Sequence, residues 1–592
     1  MRDGVVLAAD AHLPARNGQP LTERVPALLT RTPYDKRAPG HEARAAFFAK
    51  HGYAVVVQDV RGRYASEGEF YPFRNEAEDG FDTVEWVAAQ PWCDGQVGML
   101  GESYEAAVQS ATACLNPPHL SAIIPSYGPF SYFHHAMRHN GVLELRFIAY
   151  AFLMASSGRE ARANPDVAAA LDEAHGRIWK WLDRFPLRPG ETPLHLAPSL
   201  EQWVLDISAN ILYNDYWRTP GYGCQPYIEQ HAHIPTLIIG GWYDSYARSA
   251  VEYYAALRRG GHENVSLIMG PWEHASRGGD AVVGDAFFPR DSGRPDYLDI
   301  HLEWFDRWLR GRDPAWVRSS TVHYFIMGGG TGADGPDAWL RPGGEWRAAA
   351  DWPPPDYEAT PLYFHRNGVL SPVPPAVKEA QGTSYRFNPD DPVPTIGGNL
   401  SSIPMPVGIF DQRNDPRFPT SHGSLPLSSR PDVLCFQTPT LDRPVEIAGP
   451  VSIRLWVSTD GPDTDFTAKL IDVYPPSPTY PDGYAANLTD SIARLRFRDG
   501  YEAEKLAEPG RVYELAFELY PTANRFAAGH RIRVDISSSN YPRFEINPNT
   551  GEPIGEERRT HTAENHLYHD RSRPSHIVLP VRRGDDIDLE LP

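Results

Sequence analysis

The sequence predicts an α/β domain with an inserted helical cap, followed by a C-terminal antiparallel β-sandwich. Strand-like apolar runs alternate with helical periodicity through residue 132 and again from 232, and an aromatic-rich helical stretch separates the two parts. Short strands with Pro, Gly and Asp turns dominate beyond about residue 320. Strands alternating with helices form a mostly parallel sheet covered on both faces. The expected segments are 1–132 and 232–350 for the α/β domain, 133–231 for the cap and 351–592 for the sandwich.

In the α/β segments, runs rich in β-branched residues predict strands, and apolar residues at helical spacing predict helices. The expected strands are 26–30, 53–59, 97–100, 120–125, 235–240 and 265–269, and the expected helices are 42–50, 78–89, 106–111, 247–259 and 298–310. Gly311 follows the last helix at a position typical of a glycine C-cap. In the cap, 142–156 and 178–185 have helical patterns.

The C-terminal part of the chain consists of short candidate strands at the spacing of an antiparallel sandwich. These strands include 322–327, 361–365, 451–458, 466–473, 512–519 and 531–537. The proline-rich segment 351–356 is the expected linker.

Composition excludes several classes of partner. The net charge of −20 argues against nucleic acid and anionic membranes, because a polyanion would be repelled.

No apolar run approaches the roughly 18 residues of a membrane span, and the N-terminus lacks a signal-peptide core. The cysteines, at 93, 114, 224 and 435, form no C-x-x-C pair, so we expect reduced thiols and a cytoplasmic protein. The expected partner is a small-molecule substrate, a homodimer remains open, and we expect no cofactor or metal.

A motif for a nucleophilic serine lies at 97–107, which reads Val-Gly-Met-Leu-Gly-Glu-Ser-Tyr-Glu-Ala-Ala. A strand, a sharp turn and a helix follow one another, as in a nucleophile elbow. Such a turn is strained and raises the serine hydroxyl above the sheet, and small residues on either side let helix and strand approach. Gly101 and Ala106 take these positions around Ser103, with alanine where a second glycine is usual.

Two further residues supply the base and the acid that a serine nucleophile needs. Asp244 follows strand 235–240, and His274 follows strand 265–269. The order Ser, Asp, His, each at the carboxyl end of a strand, agrees with the doubly wound hydrolase topology. Two other interpretations remain open: Asp244 precedes a helix and could be only its N-cap, and His274 is one of 22 histidines.

These motifs together resemble those of the cocaine esterase and X-Pro dipeptidyl-peptidase family of α/β-hydrolases. The resemblance lies in Arg-Thr-Pro-Tyr-Asp-Lys (31–36), 59–68, Gly-Glu-Ser-Tyr (101–104), Gly-Trp-Tyr-Asp (241–244) and Gly-Pro-Trp-Glu-His (270–274), with 463–466 and 529–544 similar to the family's C-terminal jelly roll. It implies Ser103 as nucleophile, His274 as base and acid, and Asp244 as orienting acid. It also implies an oxyanion hole made by the Tyr34 hydroxyl and the Tyr104 backbone N–H. We interpret the charged stretch Asp59–Arg63 as a structural network.

The acyl group is predicted from the residues that follow Asp244. The α-amino-ester hydrolase branch of the family has carboxylates there, whereas this chain has Tyr246 and Ala247. A tyrosine-lined pocket favours an uncharged, apolar or aromatic acyl group. Tyr246 and Phe133 are therefore the candidate substrate-binding residues, although aromatic cap residues are more often core.

The sequence thus predicts a serine hydrolase that cleaves a small ester or amide through an acyl-enzyme. An acylase, amidase or X-Pro dipeptidyl-peptidase acting with the same triad is an alternative. From other classes, His134, His135 and His139, or His231 and His233, suggest a metal-dependent hydrolase, but they lack an acidic ligand or an HExxH motif. A non-catalytic carbohydrate-binding protein built on the sandwich is the remaining alternative.

Overall fold

The computed structural model describes the chain except residues 275–280, 315–320, 331, 333–338, 379–381, 586 and 588–592. The α/β part is built on one sheet. Its strands are β1 (Ala9–His12), β2 (Val25–Thr32), β3 (Ala54–Asp59), β4 (Cys93–Glu102), β5 (Leu120–Ser126), β6 (Thr236–Tyr243), β7 (Val265–Glu273), β8 (Val322–Gly328) and β9 (Gly344–Ala349).

Across this sheet the strands lie in the order β1-β3-β2-β4-β5-β6-β7-β8-β9. The edge strands β1 and β9 are antiparallel to their neighbours, and all other neighbouring pairs are parallel. Every residue of β3 and of β6 is buried, as expected for a parallel sheet covered by helices on both faces. The carboxyl ends of β4, β6 and β7 therefore meet at one edge of the sheet, where Ser103, Asp244 and His274 follow them.

Helices surround the sheet and form most of the segment between β5 and β6. They are α1 (Pro39–Lys50), α2 (Glu76–Ala88), α3 (Tyr104–Cys114), α4 (Arg146–Ser156), α5 (Arg159–Ala163), α6 (Pro165–Gly176), α7 (Ile178–Leu182), α8 (Pro198–Ala209), α9 (Ala247–Arg259) and α10 (Tyr297–Arg310). Gly311 caps α10 in the left-handed conformation, with φ of 66°.

One predicted helix, 142–156, is shorter than its sequence pattern. Val142–Leu143 instead pairs with Arg138–His139 as a short hairpin, and α4 begins at Arg146. Phe133–Met137 forms a π-helical turn before that hairpin. His135 and His139, four residues apart in the sequence, consequently do not share one helix face.

The grouping of strand 322–327 with the sandwich strands is wrong, because this strand lies within the predicted α/β segment 232–350 and belongs to that sheet. Val322–Gly328 is β8, which runs parallel to β7 with Leu267 opposite Val322. Its short apolar run lies between turn residues, like the strands that follow it in the sequence. The end of β8 also pairs with a strand of the C-terminal part, Met327 opposite Asn524, and so joins the two parts of the fold.

The C-terminal part is a two-layered antiparallel sandwich. Its strands are β10 (Tyr357–His365), β11 (Val369–Ser371), β12 (Gly382–Phe387), β13 (Leu434–Gln437), β14 (Val445–Gly449), β15 (Ser452–Thr459), β16 (Asp465–Tyr474), β17 (Tyr484–Arg494), β18 (Tyr513–Glu518), β19 (Thr522–Phe526), β20 (Arg531–Ser537), β21 (Ala563–Asp570), β22 (Arg573–Pro574) and β23 (His576–Arg582). One layer contains β12-β21-β15-β18, and the other contains β13-β20-β16-β17. Leu455, Leu470 and Val534 belong to the core that these strands share. The segment boundaries at 132, 231 and 350 stay predictions.

Two cysteines that are far apart in the sequence meet in the fold. The Sγ atom of Cys114, at the end of α3, lies 2.9 Å from that of Cys224 in the cap, and both residues are buried free thiols. Within the described part of the chain, no helix combines the length and apolar character needed to cross a membrane. The described residues also contain no group of three or more His, Cys, Asp or Glu side chains arranged to hold a metal ion.

Candidate active site

Ser103 occupies a strained turn between β4 and α3. Its backbone φ of 61° and ψ of −117° place it in a region that residues other than glycine rarely adopt. Its N–H donates to the Ser126 carbonyl of the neighbouring strand, at 3.0 Å. At Gly101 a Cβ atom would lie 2.4 Å from the Glu105 Cβ, so only glycine fits there. These are the steric features of a nucleophile elbow.

Ala106, the unusual residue of the motif, is accommodated by a glycine on the opposite side of the contact. A Cβ atom on Gly128 would lie 2.4 Å from the Ala106 Cβ. Because Gly128 has no side chain, α3 can approach the chain after β5 even though Ala106 has one. The close approach that the motif requires is therefore present in this protein.

The side chains of Asp244, His274 and Ser103 form a continuous hydrogen-bonded chain. His274 Nδ1 lies 2.8 Å from Asp244 Oδ1, and His274 Nε2 lies 3.0 Å from Ser103 Oγ. Asp244 is fully buried, whereas the His274 side chain retains 16% exposure. A histidine held in this way can take the proton of a serine hydroxyl and later return it.

Residues of the C-terminal sandwich hold the loop that carries Asp244. The Tyr243 hydroxyl donates to the Asn487 carbonyl at 2.8 Å, and the Asn399 side-chain amide donates to the Trp242 carbonyl. The hydroxyls of Ser245 and Ser401 are 2.8 Å apart. The position of Asp244 thus depends on both parts of the chain.

Tyr34 lies beside the nucleophile, just after β2. Its hydroxyl is 3.3 Å from that of Tyr150 and interacts with the Ser103 side chain. Burial raises the pKa of the Tyr34 phenol to about 12, so this hydroxyl stays a hydrogen-bond donor at neutral pH. This geometry suits a donor to an oxyanion formed next to Ser103.

Tyr104 can donate to an oxyanion formed next to Ser103 only through its backbone N–H. Its hydroxyl donates to Glu76 Oε1 at 2.7 Å and accepts from the Phe73 N–H at 2.9 Å, away from Ser103. Tyr104 is the first residue of α3, and N–H groups in the first turn of a helix have no partner within the helix. Its side chain therefore supports the helix, while its N–H follows the nucleophile.

A small cavity lies over Ser103. It is lined by Tyr34, Phe73, Ser103, Tyr104, Tyr132, Arg146, Phe147, Tyr150, Tyr246 and Ser402. Tyr246, a predicted substrate-binding residue, is part of this wall, and its ring lies 5.6 Å from that of His274. Phe133, the second predicted substrate-binding residue, is not among the described residues that line this cavity. Its ring packs against Tyr213, Trp217 and Tyr501, because the π-helical turn directs it into the cap core.

Arg146 is a cavity residue that the sequence analysis missed. It is 2% exposed, and its Nε donates to Glu144 Oε2 at 3.0 Å while its Nη1 donates to Ser401 Oγ at 2.9 Å. The signal was present in the sequence: Glu144 and Arg146 are two charged residues within an otherwise apolar stretch, and charged residues in such stretches are seldom buried without a partner.

The charged stretch Asp59–Arg63 forms a network of structural contacts. Asp59 accepts from the Lys36 and Ala65 N–H groups, and Arg63 donates to the carbonyls of Pro33 and Met154. These contacts fix the turn that carries Tyr34. The network supports the site from outside the cavity.

Comparisons with known proteins cover nearly the whole chain. Residues 3–276 match the X-Pro dipeptidyl-peptidase (S15 family) model, and residues 314–578 match the model of the X-Pro dipeptidyl-peptidase C-terminal non-catalytic domain. The cocaine esterase of Rhodococcus sp. (strain MB1 Bresler) is 34% identical, over 98% of this chain and 97% of its own.

Solved structures have the same architecture. An α-amino acid ester hydrolase superposes with a TM-score of 0.76 at 26% identity, covering 98% of this chain and 95% of its own. An aminopeptidase from a marine sediment archaeon, Thaumarchaeota archaeon, superposes with a TM-score of 0.74 at 23% identity, covering 98% of this chain and 95% of its own. At this identity the similarity shows a shared fold and nothing about activity. The α/β-hydrolase fold with a C-terminal domain is thereby confirmed. The chain belongs to the cocaine esterase and X-Pro dipeptidyl-peptidase (S15) family and is a serine hydrolase.

Proposed function

We propose that the protein hydrolyses small carboxylic esters through an acyl-enzyme formed on Ser103. In this proposal His274 is the general base and then the general acid, and Asp244 orients it. The observation that carries the proposal is the hydrogen-bonded chain from Asp244 through His274 to Ser103, with distances of 2.8 and 3.0 Å. The strained backbone of Ser103 supports it, because such strain is typical of an elbow that presents a nucleophile.

The reaction proceeds in two halves. Ser103 Oγ attacks the ester carbonyl carbon as its proton passes to His274 Nε2, and the ester C–O bond then breaks as the alcohol leaves with that proton. A water molecule next attacks the acyl-enzyme while His274 accepts its proton; the acid leaves and the proton returns to Ser103. The Tyr34 hydroxyl and the Tyr104 N–H donate to the oxyanion in both halves.

The proposed acyl group is uncharged and apolar or aromatic. The support is the cavity wall, in which Phe73, Tyr132, Phe147, Tyr150 and Tyr246 supply aromatic surface. Arg146 in the same wall presents only N–H donors, and an ammonium group is also only a donor, so we propose that the acyl group differs from the α-amino acid acyl group named for the structural relative. Cleavage of amides by the same triad is the alternative, and p-nitroanilides of the same acids would detect it.

The test is the burst of p-nitrophenol from p-nitrophenyl butyrate and p-nitrophenyl phenylacetate. We expect a burst in the wild type, none in Ser103→Ala, and an unchanged burst in Ser110→Ala. Ser110 is a matched control because it is buried in the same helix, where its hydroxyl donates to the Ala106 carbonyl at 3.2 Å. Equal release by Ser103→Ala and wild type would overturn the serine mechanism. Activity lost on adding a chelator would then favour the metal-dependent alternative.

A further inference from the structure

Arg146 places a buried positive charge in the wall of the cavity over Ser103. Two of its three nitrogens have partners, Nε on Glu144 and Nη1 on Ser401. Its Nη2 atom makes no hydrogen bond of normal length and angle among the described residues. A buried donor without a partner loses the hydrogen bonds it would make to water, which costs roughly 1–3 kcal/mol and more for a charged group.

Aromatic rings flank the guanidinium. Its central carbon lies 4.1 Å from the centre of the Phe147 ring and 4.7 Å from that of Tyr246, and both rings also line the cavity. Burial raises the pKa of Tyr246, and the nearby Arg146 partly offsets this rise. Cation–π contacts of this kind help to hold a guanidinium in place.

The charge of Arg146 is already balanced. Glu144 accepts from Arg146 and from His139 at 3.1 Å, and it also lies 3.3 Å from Arg543 Nε. Arg543 is in turn paired with Asp490. Burial lowers the pKa of His139, which keeps this imidazole neutral, so the hydrogen-bonded group has two arginines and two carboxylates. An additional carboxylate in the cavity would therefore find no uncompensated positive charge.

The donor geometry leads to the same conclusion. A carboxylate is bound most strongly when two N–H groups of one arginine face its two oxygens. Here Nε and Nη1 are occupied, so only Nη2 can donate to a bound molecule. A single charge-assisted donor suits a single acceptor oxygen.

We propose that Arg146 is a specificity-determining residue whose Nη2 donates to an uncharged acceptor oxygen, such as a ketone or amide carbonyl, within the acyl group of the substrate. This inference rests on the proposed function and specifies its substrate class. Apolar parts of the acyl group pack against the aromatic wall, and the acceptor oxygen meets Arg146. An acyl group with an ammonium would bring a second donor to Arg146 and no acceptor.

The test compares esters that differ only in the acceptor. The kcat/KM of p-nitrophenyl 4-oxopentanoate and 5-oxohexanoate is measured against that of the pentanoate and hexanoate, and each ratio is divided by the ratio for hydroxide-catalysed hydrolysis. Two oxo positions are used so that the result does not depend on one acyl length. In the wild type we expect at least one oxo ester to be favoured by about ten- to a hundredfold, the discrimination of a charge-assisted hydrogen bond.

Arg146→Lys keeps a positive charge beside Glu144 but removes the planar guanidinium, and we expect it to lose most of this preference. Arg138→Lys is the matched control with the preference unchanged. Arg138 is likewise a buried arginine of the cap, but it donates to the carbonyls of Gly141, Ile207 and Ser208 and lies outside the cavity wall. The ratio of two substrates in one protein does not depend on how much of a variant is folded.

Three results would overturn the inference while leaving the proposed function in place. These are a corrected wild-type ratio near one at both positions, the same preference in wild type and Arg146→Lys, and faster cleavage of mono-p-nitrophenyl glutarate than of either oxo ester. If Arg146→Lys does not fold, the corrected kcat/KM ratio of oxo ester to plain ester in the wild type decides whether the inference holds. By contrast, hydrolysis of all these esters that survives Ser103→Ala would refute the proposed function itself.

Discussion

The hydroxyl of Tyr520 donates a 3.1 Å hydrogen bond to the main-chain carbonyl of Ser245, the residue after Asp244. Tyr520 is fully buried and comes from the sandwich, where its ring stacks on His139. It is therefore a positioning residue for Asp244, supplied by the part of the chain that contains none of the proposed catalytic residues.

Tyr520→Phe removes this bond and leaves the Ser245 carbonyl unsatisfied, at a cost of about 1–2 kcal/mol in the free energy of unfolding. Because the Asp244 loop becomes less fixed, we expect kcat for p-nitrophenyl butyrate to fall by roughly three- to tenfold with little change in KM. Tyr568→Phe is the control, since its hydroxyl lies 3.1 Å from Ser458 Oγ within the sandwich. Equal losses of kcat in both variants would show that Tyr520 has only a general structural role.

Asp244→Asn tests the orienting acid. An amide cannot hold His274 in the tautomer that accepts the Ser103 proton, so kcat is expected to fall by about 10³–10⁴ while the fold is retained. Steady-state kinetics together with near-ultraviolet circular dichroism would measure both effects. A loss of less than tenfold in a folded variant would indicate that Asp244 is an ordinary buried carboxylate.

Tyr34→Phe tests the oxyanion donor. We expect kcat to fall by about 10²–10³ and KM to change little, because the bond is made to charge that develops in the transition state. The pKa of about 12 also predicts that ionisation of Tyr34 produces no loss of kcat/KM below pH 10. A wild-type pH profile with an alkaline loss that disappears in Tyr34→Phe would contradict this assignment.

The pKa of Glu105 predicts how the free energy of unfolding changes at acidic pH. Burial alone would raise its pKa, but Arg44 at 2.8 Å and His41 at 2.6 Å outweigh burial and lower the pKa to about 2 from the usual 4.5. A carboxyl whose pKa is lower in the folded state stabilises the fold above its unfolded pKa. This contribution, up to about 3 kcal/mol, is lost as the pH falls from 4.5 towards 2.

Glu105→Gln should therefore be less stable than wild type at pH 7 and show a flatter fall in the free energy of unfolding through that acid window. Urea unfolding at several pH values would measure the free energy of unfolding of each protein across this window. Glu85→Gln, at a partly exposed ion pair with His119, is the control and should follow the wild-type curve. Parallel curves for Glu105→Gln and wild type would show that Glu105 makes no such contribution.

The sheet and the hydrogen-bonded Asp244–His274–Ser103 chain were accessible from the sequence because their signals are local. Each of these three residues directly follows a strand, and the order of parallel strands brings strand ends together. Tyr246 was located because it lies two residues after Asp244. Phe133 and Arg146 could not be assigned in this way, since the direction of a cap side chain depends on the π-helical turn and the hairpin around it. Strand β8 was grouped with the sandwich strands because its short apolar run between turn residues resembles theirs.

The contact between Ala106 and Gly128 has a consequence for how elbow motifs are recognised. The space at this contact holds one methyl group, and either chain segment can contribute it. A search pattern that insists on glycine at position 106 would pass over this chain, although its backbone fulfils the same requirement. The motif is better defined by the volume that two distant positions share than by the identity of either residue.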